Sequence, residues 1–362
     1  MGGEEQMIPI FDGHNDTLTH MYEQEQEQDG VRAFLEGSAT SHLDLPRART
    51  AGLAGGLFAI FTPAPPDSPD RDLAQQLTRT ATGYEIPLSS AIEPAYARTF
   101  TEAVMTMLET IEREANGQVG IVRSAADLTA NLQAQRLNMV LHIEGAAAIT
   151  ADLSNLEALY ARGLRSLGIV WSRPNVFGCG VPFRFPHTPD IGPGLTEAGR
   201  ELVRACNRLG ILLDVSHLNE QGFWDLAAIT DAPIVATHSA AHALCPVPRN
   251  LTDRQLDAIR DSDGMVGLNF AVSMLRADGG KDADTPLDLL VRHIDYLVER
   301  VGLERVGFGS DFDGATVPQA IGDVTGLPRL LARLQQHGYD EPALRKLAYE
   351  NWLRVLGKTW SV

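Results

Sequence analysis

Ile10-Phe11-Asp12-Gly13-His14-Asn15-Asp16 is the stretch on which the reading of this 362-residue chain turns. It has the composition of a β-strand, and His14 and Asp16, two apart, project from the same side of an extended backbone. The end of that strand therefore carries an imidazole nitrogen and a carboxylate oxygen on one face, both of them ligands for zinc or a similar divalent ion. A His-x-Asp triplet also arises by chance, so the remaining ligands have to come from elsewhere in the chain.

Working outward, Glu23 to Gly30 form a low-complexity acidic run, read as a solvated loop or fraying helix, or as a gate over the same strand end. Residues 52–61 read as a glycine-rich strand that stops at the cluster Pro63, Pro65, Pro66 and Pro69, which must be a loop. Residues 88–114 read as one long helix or a pair, and 124–133 as another. From there strands and helices alternate. Strands are expected over 138–143, 164–171, 211–216, 233–237, 265–269 and 305–309, and helices over 153–161, 196–209, 285–301, 327–336 and 342–356. Gly210 suits a helix stop, and Thr252-x-x-Gln255 is a capping box. Eight strands separated by helices, with no linker, predict an α/β fold: a single (β/α)8 TIM barrel over residues 1–362 acting as one catalytic domain. Rossmann-like and mixed α/β folds are the competitors.

Five of the eight strands finish on a potential ligand. These are His14 and Asp16 on the first, Glu144 on the third, His217 on the fifth, His238 on the sixth and Asp311 on the eighth. In a closed barrel all C-terminal strand ends meet at one mouth, so residues far apart in sequence become neighbours. Three histidines and three carboxylates exceed what one closed structural zinc takes. They suit two divalent ions sharing a carboxylate, with positions left for water and a substrate oxygen.

Of the ten histidines, His20, His42, His187, His293 and His337 have no such placement and read as surface or loop residues. His142, two before Glu144 on the same face, reads as a core histidine satisfied by a neighbour, and His242 as a loop residue that would at most support a ligand from behind. Asp214 and Asp313 either orient ligands or cap local turns. Arg249, on the proline-stiffened loop after the sixth strand, would hold a substrate carboxylate or make a surface salt bridge. Trp171 and Asn175 would wall the pocket or pack beneath it.

Hydrophobic residues make up 44% of the chain and charged ones 21%, while the net charge of -17 argues against nucleic acid and anionic membrane surfaces as partners. The three cysteines form no Cys-x-x-Cys pair, which argues against a disulfide framework or structural zinc. The leader, with Glu4 and Glu5, lacks a secretory pattern, and no apolar run is long enough to span a bilayer. The expected setting is cytoplasmic, with a homodimer as the default oligomer.

A set of motifs in fixed order resembles the renal (membrane) dipeptidase family of zinc peptidases. It comprises Phe11-Asp12-Gly13-His14-Asn15-Asp16, Leu43-Asp44-Leu45-Pro46-Arg47, Ile143-Glu144-Gly145, Asp214-Val215-Ser216-His217, Thr237-His238-Ser239 with Arg249-Asn250, Gly309 to Gly314, and Glu350 to Val355. The resemblance implies two zinc ions bridged by Glu144 and a hydroxide, with His14 and Asp16 on one ion and His217 and His238 on the other. It implies further that Asp311 contacts the hydroxide and shuttles its proton, and that Arg249 binds the C-terminal carboxylate of a dipeptide, L-Xaa-D-Xaa dipeptides included. The chain departs from the animal enzymes at Trp171, where they carry a carbonyl-polarising histidine, and at Ala271, where they carry an aromatic. Zinc-dependent dipeptide hydrolysis is the expected function. Hydrolysis of N-acyl amino acids or lactones, and metal and ligand binding without catalysis, are the alternatives.

Overall fold

A computed structural model of the chain describes residues 7–360, apart from the side chains of residues 25–28. Glu4 and Glu5 lie outside that range. Eight parallel strands close into a barrel: β1 (Ile10–Asn15), β2 (Leu53–Phe61), β3 (Leu137–Glu144), β4 (Leu164–Gly168), β5 (Leu212–Asp214), β6 (Val235–Ser239), β7 (Met265–Asn269) and β8 (Val306–Gly309). Each pairs with its neighbours in chain order, β1 pairs with β8, and β2 runs in register with β3 from Gly55↔Asn138 to Phe61↔Glu144. The strands read as continuous apolar runs because both faces are covered, by helices outside and packed side chains within.

The barrel floor shows why these residues close. Phe11, Leu57, Val140, Leu212, Val235 and Met265 point inward from six strands against Trp352, Val355 and Leu356 of the last helix, Asn351–Thr359. Trp352 is fully buried and its indole N–H donates to the Phe308 carbonyl at 2.9 Å. The ring fits because Gly13 has no side chain: a Cβ there would stand 2.2 Å from Trp352 Cζ2. At the other end, Thr78–Arg79, Tyr84–Glu85 and Arg184–Phe185 form a small antiparallel sheet that ties the loop after β2 to the loop after β4.

The acidic run from Glu23 takes the helical one of its two readings and lies within the helix Thr17–Glu36, because glutamate and glutamine are good helix formers and Leu18, Met21, Val31 and Phe34 bury its other face. Other expectations shift. The helix expected from residue 88 starts at Pro94, a residue that suits a first turn, and runs to Glu114. Val119–Ile121 is an additional strand beside β3, too short to announce itself in sequence. β4 ends at Gly168, so Trp171 stands in the following loop. His293 is not a surface residue. It is buried on the helix Leu287–Val301, where its ring accepts from the Ala241 N–H and meets the Leu275 carbonyl at 3.1 Å. Gly210 adopts the left-handed conformation as expected, and the Thr252–Gln255 capping box is formed. No helix among the described residues is long and apolar enough to cross a membrane.

Candidate metal centre

The mouth of the barrel collects six side chains from five strand ends. His14 extends from inside β1, while Asp16 lies just past it, and Glu144 is the last residue of β3. His217 lies three residues past β5 and Asp311 two past β8, both with left-handed backbones, φ 69° and 61°, a conformation uncommon for residues with a side chain. That turn swings each group back over the barrel axis. Such local strain persists only where the surroundings enforce it.

Glu144 Oε1 stands 3.0 Å from His217 Nε2 and 3.3 Å from His238 Nε2, and the two nitrogens face each other at 3.2 Å. His14 Nε2 is 3.7 Å from the same carboxylate oxygen and 3.6 Å from Asp16 Oδ2. Donors about 2.0–2.1 Å from a tetrahedral ion stand roughly 3.3 Å apart, so these spacings fit a divalent cation. Both nitrogens of His14 and Oδ1 of Asp16 are buried without a hydrogen-bond partner, which is costly unless something else satisfies them. Gly314 keeps the space clear, since a Cβ there would lie 2.0 Å from Asp16 Oδ2.

The electrostatics point the same way. Burial, and secondarily the charges of Arg249 and His14, push His217 and His238 well below the usual imidazole range, leaving neutral rings with lone pairs to donate. Burial would push His14 down as well, but Glu144, Asp16 and Asp311 outweigh it and raise His14 to about 10. Burial and the repulsion of Asp16 and Asp311 raise Glu144. A group of buried carboxylates that retains a proton on an imidazole is a group that calls for positive charge. Two divalent ions would answer that demand, and imidazole with carboxylate is a donor set zinc accepts.

Hydroxyls and amides that the sequence did not single out fix the donors. His217 Nδ1 meets Ser172 Oγ at 2.8 Å, and His238 Nδ1 meets Thr237 Oγ1 at 2.8 Å. The Thr237 hydroxyl donates in turn to Asp214 Oδ2 at 2.6 Å, so Asp214 orients His238 through Thr237. In both rings Nδ1 is occupied and Nε2 is turned to the mouth. Asn269, the last residue of β7, donates to Asp311 Oδ2 at 2.8 Å. Asp313 braces loops instead, accepting from the Thr17 hydroxyl and the His42 N–H. His142 is buried with Nδ1 on Ser166 Oγ at 2.8 Å, and burial drives it down to about 3. His242 bonds the His187 carbonyl, away from the six.

A cavity of about 440 Å³ opens over this cluster, lined among others by Asp16, Glu144, Trp171, His217, Arg249 and Asp311. Arg249 is 5% exposed. One of its terminal nitrogens donates to the His238 carbonyl at 3.1 Å and the other, Nη1, has no partner. A buried guanidinium with a free donor is prepared for a carboxylate rather than for a surface ion pair. Trp171 packs on Phe61 and Phe183, with Arg173 over its ring at 4.6 Å. Tyr84 and Ile86 of the loop after β2 also line the cavity, as does His20, which sequence placement had put at the surface. Asn175 does not belong to the pocket wall. Its amide donates to the Ile169 carbonyl and accepts from the Phe177 and Gly178 N–H groups, so it holds its own loop.

A family profile described as membrane dipeptidase (peptidase family M19) matches residues 5–362. An uncharacterized protein of the pqqA 5' region in Klebsiella pneumoniae is 51% identical over 256 residues, 71% of this chain and 94% of that one. Among solved structures, one described as the dipeptidase AC, a metallopeptidase, is similar with a TM-score of 0.93 and 51% identity, over 99% of this chain and all 100% of that one. A metallopeptidase from Rhodobacter sphaeroides, liganded with a phosphinate mimic of the dipeptide L-Ala-D-Ala, gives 0.93 and 51% over 98% of this chain and 100% of that one.

Proposed function

This chain belongs to the membrane dipeptidase family, and from that premise we propose that it hydrolyses dipeptides, L-Xaa-D-Xaa dipeptides among them, as one catalytic domain holding two divalent ions. The family makes it a metallo-dipeptidase, which sets aside the catalytically silent alternative. One observation carries the finer reading: Glu144, His217 and His238 converge within 3.3 Å while His14 and Asp16 face the same carboxylate.

On this reading His14 and Asp16 would hold one zinc and His217 and His238 the other, with Glu144 available to both. The chemistry such ions supply when bound is a water acidified to near neutrality and positive charge for the developing oxyanion. Asp311, oriented by Asn269, takes the proton of the attacking water and returns it to the leaving amine. Arg249 binds the C-terminal carboxylate through its free Nη1 and so fixes which carbonyl faces the centre. Trp171 closes the cavity wall as an aromatic surface; its indole offers a single N–H and exchanges no proton near neutrality, so the donor role of a histidine is not reproduced there. The R. sphaeroides relative holds a mimic of L-Ala-D-Ala, which supports acceptance of a D-residue at the C-terminal position.

Amine release from zinc-loaded protein, measured on L,L and L,D dipeptides with N-acetyl amino acids alongside, tests the reading. Turnover of dipeptides, lost with a chelator and weakened when the C-terminal carboxylate is amidated, is the expected result. Turnover of the N-acetyl compounds alone would move the chain to the amidohydrolase alternative.

A further inference from the structure

The three imidazoles of the mouth are not held alike. His217 and His238 each have Nδ1 on a hydroxyl at 2.8 Å, whereas neither nitrogen of His14 has a hydrogen-bond partner. A ligating histidine whose second nitrogen is unheld has no hydrogen bond to fix its tautomer, which weakens its hold on an ion. One layer deeper in the barrel lies a matching deficit. His142 presents an unpartnered Nε2 and sits edge-on to His14, with ring centroids 5.4 Å apart and planes at 77°. Asp214 Oδ2 is 3.8 Å from His142 Nε2, too far for a direct hydrogen bond. His14, His142 and Asp214 each offer one atom, all within 4.8 Å of one another, and all three residues are 1% exposed or less.

We infer that a buried water molecule bridges His14, His142 and Asp214, and that through it His142 is a positioning residue for His14. The hydrogen-bond count closes. The water accepts from His14 Nδ1–H and donates to His142 Nε2 and to Asp214 Oδ2, three bonds, as buried waters typically make. With Nδ1–H donating to Ser166 Oγ, 2.8 Å away, Nε2 of His142 is left as an acceptor. Asp214 has capacity left on Oδ2, which receives one hydroxyl, while Oδ1 receives the Ser216 and Thr237 N–H groups. Asp214 then serves two rings, His238 through Thr237 and His14 through the water. With Nδ1 held, His14 keeps Nε2 toward Asp16 and Glu144. The inference rests on the two-ion reading for its consequence, not for its geometry.

Two measurements decide it. The first is stepwise Zn2+ titration of the metal-free full chain against a chromophoric chelator, for wild type, His142→Leu and His142→Gln. Leucine removes the acceptor, whereas glutamine restores a carbonyl oxygen near the Nε2 position. His142→Leu should weaken one of the two zinc sites about 10- to 100-fold and leave the other unchanged, with His142→Gln recovering most of the loss. Native zinc affinity in the leucine variant, or equal loss in both variants with cooperative melting retained, would overturn the inference. The second is a high-resolution crystal structure of the wild type. It should show an oxygen within hydrogen-bond distance of His14 Nδ1, His142 Nε2 and Asp214 Oδ2. Absence of density there, or anomalous scattering from a metal, would contradict it. Fewer than two zinc ions on wild type would count against the two-ion reading instead, and the crystallographic water would still decide this one.

Discussion

The two ends of the same barrel are built on opposite terms. At the floor, Trp352 fills the axis with its one donor on the Phe308 carbonyl, and Asn351 spends its amide on the Leu303 and Val306 carbonyls. At the mouth, His14, Asp16 and Arg249 carry buried atoms with no protein partner, and His217, Asp311 and Asp313 hold left-handed backbones. Eight strands thus run from a floor where the Trp352 and Asn351 donors are met within the chain to a mouth where buried atoms of His14, Asp16 and Arg249 are left for the ions and substrate of the proposed reading. The difference teaches where to look in such a barrel: unmet demand, not burial alone, marks the working end.

Substitutions at the two ends should separate activity from stability. Asp311→Asn should lower kcat about 10²- to 10⁴-fold while two zinc ions and the melting temperature are retained, read by amine release and elemental analysis. Near-normal turnover in that variant would take the proton-shuttle role from Asp311. Trp352→Ala should do the reverse, costing about 3–5 kcal/mol in denaturant unfolding with kcat of the folded fraction unchanged. A large loss of kcat there would mean that the ends are not independent.

Between the ends, His293 gives a pH signature of stability without chemistry. Burial, partly offset by its bond to the Leu275 carbonyl, holds it down at about 4. Above the unfolded value near 6.5 both states are neutral and the group is silent. As pH falls from about 6.5 to about 4 the unfolded chain takes up a proton that the folded chain refuses, so stability drops by up to about 3 kcal/mol and then levels. Melting curves of wild type and His293→Gln at pH 7.5 and 5 should show a smaller acid-side loss in the variant. The smallest effect is expected on the outer ring, where Thr252→Ala removes a helix cap and should cost about 1 kcal/mol without changing KM.

Much of the mouth was legible in the sequence because each candidate donor ends an apolar run, and a barrel gathers such ends. The residues that orient the donors were not. Ser172 and Asn269 carry no signal until β4 and β5, or β7 and β8, stand side by side. Thr237 was in plain view beside His238 but means nothing without Asp214 across the strand pair. Asn175 was read toward the pocket because a loop asparagine looks free in sequence, yet its amide makes the local turn that asparagine favours. His293 looked like a surface helix residue because its partners, Ala241 and Leu275, come from two other segments. The antiparallel flap is two residues per strand and has no periodicity to read.

The central claim is that the mouth's unmet donors hold two ions that act together. The direct measurement is titration of metal-free protein with Zn2+ while amine release from an L,D-dipeptide is followed. The account predicts turnover that saturates at two equivalents of zinc per chain and vanishes on chelation. Full activity at one equivalent, or activity that survives removal of metal, would contradict it.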